Sequence, residues 1–227
     1  MGQQIPFTSY DFWAYLSAGF LLLFAVDQAA GTYLLMRESW TVIQGVIAVS
    51  LAYGAGQLVA SASSAVFEKL LVGRLLGLPL NVLFGQPKAW KWVRRIMPGY
   101  FEPLPDATQR AALEKGSKVG VSIPGDALFW PAFAHARATP PVMARLNDFL
   151  NLYGFCRNAA FVAFMDAAIF YWSYLQPKGP VEHLLWARIA IVVGIGMTLR
   201  YLKFYRHYAS EVFTAFAYSK EPDPKKS

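Results

Sequence analysis

The chain has 227 residues, of which 56% are hydrophobic and only 15% are charged. Soluble domains carry about 25% charged residues, so this composition argues against a soluble domain and favours a membrane protein. The net charge of +7 indicates an anionic membrane surface or nucleic acid as a partner, and the lone Cys156 excludes a disulfide scaffold or a cysteine-rich metal site.

Four windows of about 20 mostly apolar residues each are long enough to cross a bilayer as helices. They cover residues 12–36, 41–65, 152–175 and 184–202. The links between the first two and between the last two are short. We therefore predict an all-α integral membrane protein with four transmembrane helices in two antiparallel hairpins.

The predicted domains follow from these spans. Residues 1–69 form an N-terminal transmembrane hairpin, and 70–141 form a basic interfacial and cytosolic helical domain between spans 2 and 3. Residues 142–219 form the C-terminal transmembrane hairpin with helical cytosolic extensions, and 220–227 form a disordered tail. Lys and Arg are concentrated in the middle segment and the tail, so the positive-inside rule predicts an inner-membrane protein with both termini in the cytosol.

The second predicted span carries a stripe of small residues at a spacing of four, which places them on one helix face. Helices in lipid associate through such faces. Two interpretations stay open, intramolecular packing of the bundle and a subunit seam in a homo-oligomer. The stripe comprises Ala48, Ala52, Gly56, Ala60 and Ser64.

The middle segment interleaves two tryptophans, Trp90 and Trp92, with the cations Lys91, Arg94 and Arg95. This pattern predicts a membrane-surface helix with tryptophan at headgroup depth, with base stacking on nucleic acid as the alternative. Further along, Asp106 is predicted to cap a helix in a capping box with Gln109. A second helix is predicted over 127–137.

Two longer helices are predicted to continue from the cytosol into the spans. One begins at Pro140-Pro141 and enters the third span, and the other leaves the fourth span and reaches Ser219.

Ionisable residues inside spans are expensive, and each one is a functional hypothesis. Counting from the outer ends places Asp27 and Asp166 at similar depth, with Arg188 about one turn away. The predicted cluster is a structural charge pair, a proton or ion site, or a pore lining. Its members are Asp27, Asp166, Arg188, Gln44 and Ser50.

A second set of cations falls near the cytosolic ends of the spans, where it suits lipid phosphates or another anion. This set comprises Arg157, Arg200, Lys203 and Arg206. Arg200 and His207 also resemble the R-x4-6-H pattern of HEPN ribonucleases, in which Arg and His from two subunits converge on RNA. The resemblance covers eight residues, and it implies a membrane-tethered ribonuclease with Arg200 and His207 as the catalytic residues.

The favoured function is a non-enzymatic oligomeric pore or membrane-perturbing component of a bacterial stress or phage-defence system. A small ion-coupled transporter using Asp27 and Asp166 is the first alternative, and the ribonuclease is the second. The expected partners are membrane lipids, further copies of the chain, and a cytosolic protein or nucleic acid at the basic face. No pattern indicates a cofactor or a metal site.

Overall fold

The computed structural model describes residues 12–219, and these are helical with no strand, which confirms the all-α class. They form two compact units. The first unit combines the described part of 1–69 with 151–201. The second unit combines 70–150 with the described part of 202–227.

The first helix of the first unit is shorter than predicted. A π-helical turn, Phe12–Leu16, leads into α1, Ser17–Ala30. Gly31 then adopts a left-handed conformation with φ of 67°, and a 3-10 turn, Leu34–Met36, follows. The helix ends at this glycine because a left-handed residue terminates the helical hydrogen-bonding pattern.

The second helix, α2, covers Val42–Ser63 and begins with a capping box between Thr41 and Gln44. Beyond α2 the chain stays helical with π-helical hydrogen bonding over Ser64–Leu76. The helical run therefore extends well past residue 65, where the predicted span ended.

The described part of the second unit contains five short helices, residues 70–76 of the π-helical segment, and parts of two long helices. Its apolar core draws on these helices, with Leu83, Leu128, Leu146 and Phe213 fully buried. The short helices are α3 (Pro79–Val82), α4 (Lys91–Ile96), α5 (Pro98–Phe101), α6 (Asp106–Lys118) and α7 (Asp126–Arg137).

The predicted capping box at Asp106 is wrong. Asp106 is the first residue of α6, and Pro105 occupies the cap position without a side-chain hydrogen bond. The Gln109 amide instead donates to the Leu104 carbonyl oxygen at 2.7 Å, so the segment before α6 is held by a different contact.

The long helices predicted to run between cytosol and membrane are confirmed as unbroken helices. They are α8, Pro140–Tyr174, and α9, Glu182–Tyr218. Two helical runs of the described chain are long and apolar enough to cross a membrane, Val42–Val82 and Glu182–Tyr218, while the apolar helix Ala14–Ala30 is shorter. By length and composition, then, two of the four predicted spans meet this criterion.

The two helices of the N-terminal hairpin cross in direct backbone contact. A Cβ atom on Gly19 would lie 1.7 Å from the carbonyl oxygen of Ala52, and one on Gly56 would lie 2.0 Å from that of Tyr15. Ala60 is also buried on this side of α2. The centre of the small-residue stripe therefore packs within the chain, against α1 and the turn before it.

We expect Gly19→Ala and Gly56→Ala to destabilise the first unit by about 1–3 kcal/mol, because the added methyl must push two helices apart. Gly45→Ala is the matched control, since a Cβ there meets nothing within 4 Å and alanine is the better helix former. The measurement is denaturant unfolding of detergent-solubilised protein. Equal stability of Gly19→Ala and Gly45→Ala would contradict the close crossing.

Candidate functional site

A buried polar network links three segments of the first unit. The Ser63 hydroxyl in α2 donates to Asn158 Oδ1 in α8 at 2.7 Å. The Asn158 amide nitrogen donates to the Ala14 carbonyl oxygen, ahead of α1, at 3.0 Å. Both Ser63 and Asn158 are fully buried. One amide side chain therefore satisfies groups from two other segments at once.

Arg157 extends this network with an ion pair. Its guanidinium bonds the Glu68 carboxylate, and its Nε donates to the Ser63 hydroxyl at 3.1 Å. Ser64 donates to the other Glu68 oxygen at 3.0 Å. The prediction that Arg157 binds lipid phosphate needs correction, because this side chain is buried and its charge is already neutralised by Glu68.

Asp27 stabilises the turn at the end of α1. Its carboxylate accepts hydrogen bonds from the backbone N–H groups of Leu34 at 2.8 Å and Leu35 at 3.0 Å. The Thr32 hydroxyl donates to the same carboxylate. Because both carboxylate oxygens are engaged by the turn, Asp27 has a structural role in the hairpin.

Asp166 is buried on α8, between two small apolar clusters that contain Val162 and Phe170. In the part of the chain that the structure describes, the Oδ1 atom of Asp166 is buried and has no hydrogen-bond partner. Arg188 lies on α9 and is exposed. Within residues 12–219, no recorded ion pair joins Arg188 to Asp166 or to Asp27.

The two polar residues predicted near this cluster have local partners. Gln44 is committed to the capping box at the start of α2. The Ser50 hydroxyl donates to the Val46 carbonyl oxygen at 2.8 Å, one turn earlier on the same helix. Asp27 and Gln44 both line a cavity of about 410 Å³ beside α1 and α2, but Ser50, Asp166 and Arg188 do not line it.

A buried contact that sequence reasoning missed lies at the start of α9. His183 Nδ1 and the Ser173 hydroxyl are 2.9 Å apart, and both side chains are buried. The ring of Phe170 lies 5.3 Å from the imidazole, measured between ring centroids. His183 directly precedes the predicted span 184–202, and the apolar run of that span was the available signal for its burial.

The second unit presents exposed tryptophans beside cations. The rings of Trp90 and Trp92 stack with centroids 6.2 Å apart, and the two residues are 70% and 60% exposed. An open cleft of about 610 Å³ is lined by three cations, Lys91, Arg94 and Arg95, and by one acidic residue, Glu102. None of these cations takes part in a recorded ion pair of the described chain. We call this surface the tryptophan–cation cleft.

The remaining predicted cations divide by their contacts. Arg206 donates from Nη2 to the Glu102 carbonyl oxygen at 2.7 Å, so it holds the segment after α5. Lys203 is exposed. Arg200 is also exposed and hydrogen-bonds the Cys156 thiol.

His207, the other residue of the ribonuclease pattern, stacks its ring on Phe149 at 5.9 Å. Partial burial lowers the pKa of His207, and the nearby charges of Arg206 and Lys203 lower it further. Its ring is therefore mainly neutral at neutral pH.

Within the described residues, no group of three or more His, Cys, Asp or Glu side chains is placed to hold a metal ion. Comparisons with known protein families, curated proteins and solved structures find no match to this chain.

We expect Arg157→Met to destabilise the first unit by about 3 kcal/mol, because it leaves the Glu68 carboxylate without its partner. The double variant Arg157→Met, Glu68→Gln should lose less free energy of unfolding than the sum of the losses in the two single variants. Arg188→Met is the control, with an expected effect below about 0.5 kcal/mol because the side chain is exposed. Denaturant unfolding in detergent measures the three single variants and the double variant. Strictly additive losses of stability would contradict a direct interaction between Arg157 and Glu68.

We expect anionic lipid to stabilise the protein through the tryptophan–cation cleft. Each cation near an anionic surface contributes about 1 kcal/mol. Added phosphatidylglycerol should therefore raise the melting temperature of the wild type in detergent. The effect should fall strongly in the triple variant Lys91→Gln, Arg94→Gln, Arg95→Gln.

Phosphatidylcholine and high salt are the controls for that measurement, because neither favours the attraction between cations and anionic headgroups. If the triple variant responds to phosphatidylglycerol as the wild type does, lipid binding at this cleft is ruled out.

Proposed function

We propose that the chain is an integral membrane protein with four helical spans formed by α1, α2, α8 and α9. The observation that carries this proposal is the distribution of polar and aliphatic side chains in the first unit. Seven polar or charged side chains are buried in it among mostly small apolar residues, while many large aliphatic side chains are exposed. The buried polar residues are Asp27, Ser63, Arg157, Asn158, Asp166, Ser173 and His183.

The exposed side of α9 illustrates the outer surface. From residue 189 to residue 199, every exposed position is aliphatic or glycine. Val192 is 70% exposed and Ile195 is 52% exposed. In water, such a continuous apolar surface would promote aggregation. In the hydrocarbon core of a bilayer, the same surface contacts lipid chains and carries no such penalty.

The same reasoning supports α8 and α1 as spans. The charged residues Arg157 and Asp166 of α8 and Asp27 of α1 are all buried within the unit. Ionisable residues in spans of known membrane proteins likewise face the bundle interior. A hydropathy average counts these residues against a span, although they do not meet the lipid.

The positive-inside rule then places both termini and the second unit on the cytosolic side. The tryptophan–cation cleft supports this arrangement, because tryptophan and cations together suit the headgroup region of an anionic leaflet.

In this setting the chain acts as a non-enzymatic oligomeric component that permeabilises or perturbs the membrane. In the first unit, α1 and α2 are in backbone contact at the Gly19–Gly56 crossing, and the polar network joins α2 to α8. We therefore infer that a conduit for ions forms between copies of the chain.

An ion-coupled transporter is the second candidate, and one observation favours it. Asp166 is a buried carboxylate with an oxygen that has no described partner, and such groups in transporters carry protons or ions. Asp27 is a weaker candidate for this role, because its carboxylate is occupied by the turn.

We expect the full-length protein to release trapped carboxyfluorescein from liposomes that contain phosphatidylglycerol. Leakage should rise more steeply than linearly with the protein-to-lipid ratio, because a conduit between copies requires assembly. Protein-free liposomes give the baseline, and alkaline carbonate washing verifies that the protein is inserted.

Inserted protein that releases no dye would contradict the permeabilising function. Proton uptake without dye release, abolished by Asp166→Asn but retained in Asp27→Asn, would favour the transporter instead. Both outcomes leave the four-span topology intact.

A further inference from the structure

The face of α2 that points away from α1 remains without a partner in the first unit. Ala52 and Gly56 face α1, and on the opposite side the structure leaves a row of exposed residues. We call this row the outer face of α2. It consists of Ile43, Ile47, Ser50, Gly54, Gln57 and Ser61.

The spacing along the outer face of α2 alternates between four and three residues. Positions at this spacing lie along one line in a left-handed helix pair, so a single neighbouring helix can contact every member of the row. The row runs from Ile43 to Ser61 without a charged residue, which is about 27 Å at ~1.5 Å per residue.

One member of the outer face of α2, Gln57, does not suit lipid. The Ser50 and Ser61 hydroxyls donate to carbonyl oxygens one turn earlier, at 2.8 and 3.2 Å, and so satisfy themselves. No recorded hydrogen bond of residues 12–219 includes the Gln57 side-chain amide. An amide that faces hydrocarbon without a partner is strongly unfavourable.

The contrast with α9 sharpens this point. Both helices expose long faces, but the exposed positions of α9 between 189 and 199 are all aliphatic or glycine. Lipid chains therefore suit the exposed face of α9 better than the outer face of α2. We expect the outer face of α2 to contact a neighbour that offers hydrogen bonds and close packing.

We propose that this neighbour is α2 of a second copy of the chain, so that the outer face of α2 is the seam of a homodimer. This inference rests on the proposed membrane insertion. Copies inserted with the same topology have parallel α2 helices, so each Gln57 meets the other Gln57 at equal depth. A glutamine amide is both donor and acceptor, so two of them satisfy each other.

Gly54 lies on the same row, one turn from Gln57. A Cβ atom there would meet nothing within 4 Å in a single copy. The space in front of this glycine allows a second helix to approach closely, as small residues do in membrane helix pairs. The seam therefore combines aliphatic contacts at Ile43 and Ile47, close approach at Gly54 and a hydrogen-bonded amide pair.

The test is disulfide cross-linking in native membranes by copper phenanthroline. The single native cysteine, Cys156, is buried and is replaced by alanine in the background protein. Gly54→Cys and Ser50→Cys should each give a covalent dimer. Val49→Cys is the matched control, because Val49 neighbours Ser50 and is exposed but lies off the row.

A second variant tests the amide pair. Adding Gln57→Leu to Gly54→Cys should weaken dimerisation about tenfold, as the loss of an interhelical hydrogen bond does in membrane peptides. The readout is the cross-linked fraction as a function of the protein-to-lipid ratio. An unchanged fraction would show that the amide does not hold the seam.

Insertion is measured on the same samples by alkaline carbonate washing. Protein that stays in the membrane but forms no dimer at Gly54→Cys, or dimerises equally at Val49→Cys, overturns the seam and leaves the proposed insertion standing. Labelling of Gly54→Cys by a membrane-impermeant maleimide also overturns it, because the face then lines water. Release of the protein by carbonate overturns both proposals.

Discussion

The fold of the first unit depends on Asn158. This side chain is fully buried, and it accepts a hydrogen bond from Ser63 while it donates to the carbonyl oxygen of Ala14. Three segments that are far apart in the chain thereby meet at one amide. In a low-dielectric interior such bonds are stronger than in water, and leaving either partner unpaired is correspondingly expensive. An aliphatic residue of similar size would fill the space, but it would remove the donor to the Ala14 carbonyl oxygen and the acceptor for the Ser63 hydroxyl.

The same amide contacts the neighbouring ion pair, because its oxygen accepts hydrogen bonds from Arg157 Nε and Nη2 at 3.3 Å. Arg157 brings a charge into the same region, where Glu68 neutralises it and Ser63 accepts one of its hydrogen bonds. A buried charge pair is often no more stable than a well-packed apolar pair, but it is specific, because a slip of register would separate the charges. The network fixes the register of α8 against α2 at one end, and the Gly19–Gly56 crossing fixes α1 against α2 nearby.

The sequence predicts the helices well and their partners poorly, and the reasons are physical. Apolar runs and caps are local, so the all-α class and the unbroken courses of α8 and α9 follow from the pattern alone. The pairing of Arg157 with Glu68 joins residues 89 positions apart, and no local rule links them. Three residues of the small-residue stripe of α2 are buried, Ala52, Gly56 and Ala60, but the pattern alone does not say which helix covers them.

Asp27 shows how one missed terminus alters a functional prediction. Counting residues from position 36 placed this carboxylate inside the span, next to Asp166. The helix ends at Ala30 instead, and Asp27 then lies within reach of the amides of Leu34 and Leu35. Gly31, directly after an apolar run, was the available signal, since glycine after a helix commonly takes the left-handed conformation.

The two helices that meet the span criterion present different outer surfaces, and this difference connects the architecture to the proposed function. The exposed residues of α9 between 189 and 199 are aliphatic or glycine, so this face of α9 is suited to contact with lipid chains. The outer face of α2 carries serine, glycine and glutamine at a spacing that suits another helix. Because the small-residue face of α2 is already occupied by α1, assembly through α2 leaves the internal packing of the first unit undisturbed. The proposed oligomer can therefore assemble without any change in the packing of α1 against α2.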